Sequence, residues 1–450
     1  MSQPKHLART DGQYPLAFRQ QDPTGAARAP EDVLALTLRV RGPLRVACLK
    51  GALEEVVARH EALRTRIRYD EEDGNLGYQE VLPPLPVPLT VIDAVVRPGQ
   101  SRDDVAVDLA NVLTTEGMSY TLTPSVVATL HRFDEHDAVL TLLVHHLYID
   151  GWSAGILQRE LAVCYRARAT GIPHTLPTPA PYREFATWQQ EFLQSEKAAT
   201  ARRFWLDNLA GAELCTVPAD RLHGPDTQAP QCAVSNFALD PERFARVTAS
   251  AAKHRCSVWH VFLAAVMAFT QEASGRTDIT LLTVSSGRPA RAFYDTIGLF
   301  ADLVPVRLRF ADCTTYLDLM RLARKASAEA LQHQLPIGMI LGMVPGLMQA
   351  VGDPRALVPG FNYISVPVAG DETKFTVSFE QVHPPEELPG TFLRGAFKWN
   401  FRVVPPGELR CAVEYEPDAV DASTIERWGM DFIDRLLAMA DDPGQPWKRA

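Results

Sequence analysis

Two patterns of apolar residues recur along this 450-residue chain, and each predicts one kind of element. The run at residues 138–144 is short and almost continuously apolar, which is typical of a buried strand. Farther on, Leu157, Leu161 and Cys164 recur at spacings of four and three, and this stripe predicts an amphipathic helix. The longest apolar run, residues 258–269, is too short to span a bilayer and predicts a buried helix.

Strands and helices follow one another in a similar order in the two halves of the chain. The pattern at residues 33–40 predicts a strand before a helix at 46–60, and residues 233–239 predict a strand before a helix that begins at Pro241. This repeated mixture predicts an α/β fold, of the α+β layered type, with two related subdomains. We expect a cleft between them, where ligand sites tend to lie.

A proline-rich stretch separates the two halves. Residues 171–181 contain four prolines, and such a segment is extended and solvated. We therefore expect an N-terminal subdomain at residues 1–176 and a C-terminal subdomain at residues 177–450. Residues 441–450 carry no such pattern and are predicted to form a trailing tail.

Composition narrows the class of protein. A formal charge of −9 argues against a nucleic-acid surface or a polybasic membrane contact. The seven cysteines are scattered and contain no C-x-x-C pair, which predicts reduced thiols in a cytoplasmic protein and no metal site. The N-terminus has no apolar core of a signal peptide.

The densest chemistry lies where His145 and His146 are followed by Asp150 and Gly151, in the pattern H-H-x-x-x-D-G. Successive side chains of a strand face opposite sides, so one histidine can enter a cleft while the other turns into the fold. An imidazole suits a general base in acyl transfer, because its ordinary pKa lies near neutral pH. The motif favours catalysis over a purely structural role for the pair.

The same segment also fits G-x-S-x-G at residues 151–155, the nucleophile elbow of serine hydrolases, with Ser153 as the nucleophile. Only three positions of that pattern are fixed, so chance matches are common. A hydrolase further needs a histidine downstream of the serine. Several are available, among them His254, His260, His333 and His383. The segment alone therefore leaves the hydrolase alternative open.

Other segments, in the same order along the chain, resemble motifs of the condensation domains of nonribosomal peptide synthetases, a family that also carries H-H-x-x-x-D-G. Residues 59–67 resemble R-H-E-x-L-R-T, and residues 297–307 resemble I-G-x-F-V-N-T-L-P-L-R. Shorter matches lie at residues 182–189, 286–288, 332–336, 361–363 and 415–418. The resemblance covers nearly the whole chain, from about Tyr14 to Pro443, and disfavours the hydrolase.

The resemblance implies two chloramphenicol acetyltransferase-like subdomains in a V-shaped pseudo-dimer with a tunnel between them. It also implies a carrier-protein-dependent acyltransferase of natural-product biosynthesis. Such an enzyme condenses a carrier-tethered aminoacyl or acyl thioester with an amine or alcohol acceptor, forming an amide or ester. The implied partners are a peptidyl or acyl carrier protein and a small-molecule or carrier-bound acceptor. No cofactor is bound, because the donor arrives on the phosphopantetheine of the carrier. We expect a monomer without nucleic-acid or membrane partners.

The same resemblance assigns roles to the loop. His146 faces the tunnel and accepts or orients the proton of the acceptor, while His145 supports the loop. Asp150 turns away and pairs with Arg288, which braces the histidines. The amide of Gly151 donates to the developing oxyanion.

Further residues receive supporting roles. Arg64 is assigned to structural support and Ser153 to helix capping. Three positions are expected to line the substrate tunnel, namely Trp152, Asp302 and Asn362. Asp302 stands where the family usually has asparagine, which puts donor preference in doubt.

No adenylation signature or phosphopantetheine attachment site accompanies these motifs, so we expect a free-standing condensation enzyme. A noncatalytic recruitment module on the same fold is the alternative. Intact His145, His146, Asp150 and Gly151 argue against it, because a degenerate module does not need them.

Overall fold

The computed structural model describes residues 12–21, 32–69, 77–113, 117–222, 232–351, 353–364, 376–383 and 395–447. They belong to two compact units. Unit 1 takes its described residues from 12–193, 286–301 and 376–383, and unit 2 takes them from 194–285, 302–364 and 395–447.

The strands of the described residues are β1 Gln13–Pro15, β2 Val33–Arg41, β3 Thr65–Tyr69, β4 Gly77–Val81, β5 Leu89–Asp93, β6 Val126–Arg132, β7 Asp137–His145, β8 Val217–Pro218, β9 Ala233–Leu239, β10 Asp278–Ser285, β11 Asp302–Arg309, β12 Ala356–Ile364, β13 Ser378–Gln381, β14 Ala396–Val404 and β15 Glu408–Tyr415. The α-helices are α1 Val46–Arg59, α2 Arg102–Leu113, α3 Gly151–Thr170, α4 Tyr182–Leu193, α5 Glu196–Asn208, α6 Pro241–Lys253, α7 Val258–Ser274, α8 Tyr316–Gln332, α9 Ile337–Met343 and α10 Ala422–Asp441. The α/β class that the sequence predicts is confirmed.

Unit 1 is built on a five-stranded sheet in the order β13-β2-β7-β6-β5. Strands β2 and β7 pair antiparallel, with Leu38 opposite Leu140. Alternate residues of a strand face one side, so these leucines point to the same face and lie in one buried core with Leu53 of α1 and Leu157 of α3. This core fixes the end of β7 against the start of α3, where the histidine loop begins. A smaller sheet has the order β1-β4-β3.

Unit 2 is built on a seven-stranded sheet in the order β11-β10-β12-β14-β15-β9, with β8 beside β12. One face is aromatic: Trp399 stacks on Phe432 of α10 at 4.9 Å between ring centroids, and Phe401 stacks on Phe262 of α7 at 4.7 Å. The alternating positions of β14 carry polar side chains, such as Asn400, to the opposite face. No helix among the described residues combines the length and the apolar character needed to cross a lipid bilayer.

The boundary that the sequence predicts, between residues 176 and 177, is a single cut of the chain. Each compact unit is instead built from several stretches of chain. Helix α4 and residues 286–301 follow that boundary, yet both belong to unit 1. The turn that carries Arg288 is therefore in the same unit as β7 and α3.

The prediction of a trailing tail from residue 441 is wrong for the described part of that segment. Trp447 is buried, its Nε1 donates to the carbonyl of Cys313 at 2.8 Å, and its ring packs on Phe310 at 5.3 Å. The backbone amide of Leu317 also donates to the carbonyl of Pro443 at 2.7 Å. The segment therefore packs against the N-terminal end of α8 and the residues just before it.

We expect Trp447→Ala to lower the free energy of unfolding by about 3–5 kcal/mol, because it removes a large buried ring from a packed site. Trp447→Phe keeps most of the packing and loses one hydrogen bond, so its loss should be about 1 kcal/mol. Urea unfolding followed by far-ultraviolet circular dichroism measures both. Equal losses for the two variants would show that ring packing at this position contributes nothing.

Candidate active site

His145 is the last residue of β7, and its side chain lies inside unit 1. The residue is fully buried, and its Nδ1 accepts a hydrogen bond from the amide of Leu147 at 3.3 Å. The rings of Tyr120 and Tyr148 meet the imidazole edge-on, at 6.2 and 6.5 Å between centroids. His145 therefore holds the turn that follows the strand.

His146 begins a short 3-10 helix, His146–Tyr148, and is only partly buried. Its backbone amide donates to the carbonyl of Asp32 at 2.8 Å, which continues the pairing of β2 with β7. Within the described part of the chain, its ring makes no hydrogen bond. The loop thus anchors the backbone of this residue and leaves both ring nitrogens without a side-chain partner.

Asp150 is buried, and its carboxylate accepts hydrogen bonds from three stretches of chain. Oδ1 accepts from the amide of Ser153 at 2.8 Å, which makes Asp150 the N-cap of α3. Oδ2 accepts from the amides of Phe300 and Ala301 at 3.0 and 3.1 Å. The guanidinium of Arg288 donates to Oδ2 at 3.0 Å and to Oδ1 at 3.4 Å. The pair of Asp150 and Arg288 that the resemblance implies is therefore present.

The guanidinium of Arg288 is enclosed within unit 1. Besides binding Asp150, its Nη2 donates to the hydroxyl of Ser153 at 2.8 Å and to the carbonyl of Thr296 at 3.0 Å. Its Cζ lies 4.1 Å from the centroid of the Phe300 ring. We refer to Asp150, Ser153, Arg288, Thr296 and Phe300 as the Asp150 network.

Gly287 lets this network form. Its φ of +63° lies in the left-handed region, and a Cβ atom built there would sit 1.8 Å from the carbonyl oxygen of Phe300. Only glycine therefore lets the turn before Arg288 approach the backbone of Phe300 this closely.

Ser153 is neither the cap of α3 nor a nucleophile. Asp150 provides the cap, so the assignment of Ser153 to capping is wrong. Its hydroxyl is buried, donates to the carbonyl of Gly298 at 2.9 Å, and accepts from the amide of Gly298 and from Arg288. A nucleophilic serine needs a base that takes its proton. Here a carbonyl holds the proton, and this geometry excludes the hydrolase alternative.

Gly151 is the first residue of α3, where a helix leaves its amides without an internal partner. A Cβ atom at this position would meet no atom within 4 Å. Among the described residues, the amide of Gly151 has no hydrogen-bond partner. The neighbouring Trp152 is held in unit 1, because its Nε1 donates to the carbonyl of Tyr294 at 3.0 Å.

Sequence reasoning missed Glu160, which is fully buried on α3. Its Oε2 accepts from Nε of Arg59 at 2.8 Å and lies 2.9 Å from Nε2 of His60. Nδ1 of His60 accepts from the amide of Ile297 at 3.4 Å, so the proton of that imidazole is on Nε2. A charged residue within the apolar stripe of α3, next to Leu161, is the signal that predicts such a buried partner.

Burial alone raises the pKa of Glu160, but the hydrogen bonds from His60 and Arg59 outweigh it and lower that pKa. The carboxylate is therefore ionised and ties α1 to α3. Arg64, which was expected to give structural support, donates from its Nη1 to the carbonyl of Leu82.

Two of the expected tunnel residues belong to unit 2. Oδ1 of Asp302 accepts from the amide of Leu303 at 2.8 Å, and Oδ2 accepts from the amide of Ile337 at 3.1 Å, at the start of α9. Asn362 donates from Nδ2 to Oδ1 of Asn400 at 3.5 Å. The structure thus groups the loop residues and Arg288 in unit 1, and gives Asp302 and Asn362 their own partners in unit 2.

Among the described side chains, one group consists of residue types that commonly bind metal ions. Its hydrogen bonds and protonation do not fit a metal ion. Ligand atoms of Glu55, Cys164 and His174 lie within 4.8 Å of one another. Nδ1 of His174 accepts from the amide of Leu176 at 3.3 Å, so its Nε2 carries a proton and donates to Glu55 at 2.7 Å. Arg168 already neutralises Glu55, at 2.9 Å. Burial raises the pKa of Cys164 to about 12, which keeps the thiol protonated.

Comparison with known proteins identifies relatives of nearly the whole chain. Residues 33–450 match the family model described as "Condensation domain". The chain is 29% identical to CymA of Salinispora arenicola, described as a probable non-canonical nonribosomal peptide synthetase, over 92% of this chain and 5% of that protein. It is also 29% identical to the phosphinothricin tripeptide synthetase PhsC of Streptomyces viridochromogenes, over 72% of this chain and 30% of that protein. The chain therefore spans less than a third of the length of these relatives.

Solved structures resemble the fold over the same extent. SgcC5 from Streptomyces globisporus, in complex with (R)-(-)-1-(2-naphthyl)-1,2-ethanediol and sucrose, superposes with a TM-score of 0.83 at 27% identity, covering 96% of this chain and 100% of that one. The first condensation domain of the calcium-dependent antibiotic synthetase superposes with a TM-score of 0.77 at 19% identity, covering 98% and 99%. The X-domain from teicoplanin biosynthesis has a TM-score of 0.75 at 24% identity, covering 98% of both chains. The last two share the fold.

We expect Asp150→Asn to lower the free energy of unfolding by about 3–5 kcal/mol, because it leaves the buried Arg288 without its counter-charge. The side-chain amide of asparagine also places N–H groups where the carboxylate accepted hydrogen bonds, so a donor would face a donor. Asp295→Asn is the matched control, since Asp295 pairs with Arg159 at 2.6 Å on a solvated surface and should cost about 0–1 kcal/mol. Denaturant unfolding measures both, and equal losses would contradict the role of burial.

Glu160 predicts a pH dependence of stability. Its lowered pKa means that the folded state holds the ionised form more strongly than the unfolded state does. The contribution is present above the ordinary carboxyl pKa and is lost as the pH falls through the lowered value. We expect Glu160→Gln to be less stable than the wild type at pH 7, with the difference shrinking below about pH 4. Unfolding curves across that range measure the difference, and one that does not change with pH would contradict the prediction.

Proposed function

We propose that this chain, which belongs to the condensation domain family, is a carrier-protein-dependent acyltransferase that forms an amide or ester bond. Condensation domains join carrier-bound acyl groups in nonribosomal peptide synthesis, and the relatives named above are such synthetases. One observation carries the proposal. The imidazole of His146 has no side-chain partner among the described residues, whereas the carboxylate of Asp150 beside it accepts hydrogen bonds from three stretches of chain.

His146 acts as the base of the reaction. Its neutral imidazole accepts the proton of the acceptor amine or alcohol while the acceptor attacks the carbonyl carbon of the thioester. The carbon–sulfur bond then breaks, and the departing pantetheine sulfur takes the proton from the imidazolium. The product is an amide or an ester, together with the free thiol of the carrier arm.

Gly151 stabilises the charge that develops during the attack. Its amide is at the N-terminus of α3, where the helix dipole is positive, and it has no hydrogen-bond partner among the described residues. An amide in such a position can donate to the oxyanion of the tetrahedral intermediate. Orientation of the two reactants contributes as well, and in favourable cases supplies about 7–11 kcal/mol.

The substrates follow from this chemistry. The donor is an acyl or aminoacyl group on the phosphopantetheine of a carrier protein, and the protein itself holds no cofactor. The acceptor is an amine or an alcohol. The diol bound in the SgcC5 structure supports testing alcohols first, because that protein is 27% identical to this chain.

We expect His146→Ala to lower the rate of acyl transfer by about 10²–10⁴-fold, which is the usual contribution of a general base. The assay is mass spectrometry of products formed from an acyl-loaded carrier protein with amine and alcohol acceptors. His136→Ala is the matched control, because His136 is an exposed histidine of the same unit. It should react at the wild-type rate.

Two outcomes would contradict the proposal. A covalent acyl-enzyme seen by intact-protein mass spectrometry, and lost in Ser153→Ala, would mean that Ser153 is the nucleophile. A wild-type protein that binds loaded carrier without forming product would favour a recruitment role on the same fold.

A further inference from the structure

A cluster of cations lies on unit 2, where α6 ends and α8 passes near the start of α7. On α8, Arg321, Arg324 and Lys325 stand at positions i, i+3 and i+4, so one face of the helix carries three like charges. Lys253 and Arg255 lie at the end of α6. Within the described ranges, none of these five side chains forms a salt bridge. We call them the cationic face.

Among the described residues, most other arginines of unit 2 pair with a carboxylate, and Arg203 and Arg427 bind only threonine hydroxyls. The chain carries a formal charge of −9, so acidic residues are plentiful. Other arginines of unit 2 do have carboxylate partners, namely Arg221, Arg243, Arg246, Arg276, Arg307 and Arg435. Like charges at i and i+4 destabilise a helix, so the cationic face carries a cost in the isolated protein.

The cations lie around the turn between α6 and α7. Nη1 of Arg324 donates to the carbonyl of Arg255 at 2.8 Å, which joins α8 to that turn. Burial and the nearby charge of Arg324 lower the pKa of His260 in the first turn of α7. Burial raises the pKa of the Cys256 thiol, and the nearby charges of Arg324 and Arg321 act in the opposite direction. These groups therefore share one region of the surface.

Arg255 is held in a backbone conformation that costs free energy. Its φ is +58°, and it is the only residue other than glycine with a positive φ among those described. The turn has the hydrogen bonds of a helix end, because the amide of Cys256 donates to the carbonyl of Ala251 at 2.8 Å and that of Arg255 to Ala252 at 3.0 Å. Glycine is the usual residue there and would keep the carbonyl that Arg324 binds. The backbone conformation therefore does not explain why the residue at position 255 is an arginine.

We infer that the cationic face is a docking surface for an acidic surface of a partner protein, which, if the proposed function is correct, is the carrier protein. Lys253, Arg255, Arg321 and Lys325 are exposed. They are spread over two helices, whereas a site for a small anion needs donors that converge in a pocket. An extended acidic surface relieves the repulsion between these charges when it binds. Complementary charge also speeds the encounter of two proteins.

The first test measures binding of fluorescein-labelled poly-L-glutamate by anisotropy at low salt. We expect binding that weakens as sodium chloride is raised, because salt screens exposed charges. Arg321→Gln should weaken it about two- to fivefold, the change expected from loss of one exposed charge contact. Arg355→Gln is the matched control, since it removes the same charge from another exposed arginine of unit 2, one that pairs with Asp353. Its affinity should equal that of the wild type.

The second test separates docking from a structural role. Arg255→Gly relieves the left-handed strain, so we expect its melting temperature to equal or exceed that of the wild type while its affinity for poly-L-glutamate falls. A variant that loses stability and affinity together would indicate a structural role only and overturn the inference.

Other results would also overturn it. They are an affinity that is equal in Arg321→Gln and Arg355→Gln, the absence of binding at low salt, or displacement of the peptide by low millimolar inorganic phosphate, which would indicate a site for a small phosphate. The assay contains neither donor nor acceptor. Its failure therefore leaves the chemistry of His146 untouched, and a His146→Ala protein that no longer transfers acyl groups should still bind the peptide.

Discussion

The buried carboxylate of Asp150 is the group on which the geometry around His146 depends. It caps α3, neutralises Arg288 and accepts the amides of Phe300 and Ala301. These donors come from segments that lie up to about 150 residues apart in the chain, so one side chain holds together the helix start, the arginine turn and the backbone beside it. Removing this charge releases all of them at once, which is why its effect on stability is expected to exceed that of an exposed pair.

A buried ion pair is not by itself stabilising, because both charges lose their hydration. What makes this one favourable is that nearly every remaining bond of both groups is satisfied. Arg288 also donates to Ser153 and Thr296, and its planar guanidinium packs on Phe300; only its Nε has no hydrogen-bond partner among the described residues. The network therefore permits one arrangement of the loop, and a half-formed arrangement would leave buried polar groups unpaired.

How much the sequence predicts depends on how far apart the interacting residues are. The positions of His146 at a strand end and of Asp150 before a helix could be predicted from local patterns, whereas the pair of Asp150 with Arg288, 138 residues away, followed only from the resemblance to condensation domains. The hydroxyl of Ser153 was assigned wrongly because its partner, Gly298, lies 145 residues away. The burial of Trp447 escaped prediction for the same reason, since Cys313 is 134 residues distant. Glu160 is an intermediate case. A charged residue within an apolar stripe indicates that it has a buried partner, but the pattern does not show which residue that partner is.

Hydrogen bonding distinguishes the residues that hold the loop in place from His146, the residue proposed to act as the base. The polar atoms of Asp150 and Ser153 have their partners within unit 1, so they are fixed in direction and unable to exchange protons with a substrate. The backbone of His146 is anchored, and among the described residues neither its imidazole nor the amide of Gly151 donates or accepts a side-chain hydrogen bond. In the proposed reaction, the ring nitrogen of His146 that takes the proton has to be free of a permanent hydrogen bond to the protein. The neighbouring residues are therefore rigid so that this one ring can remain available.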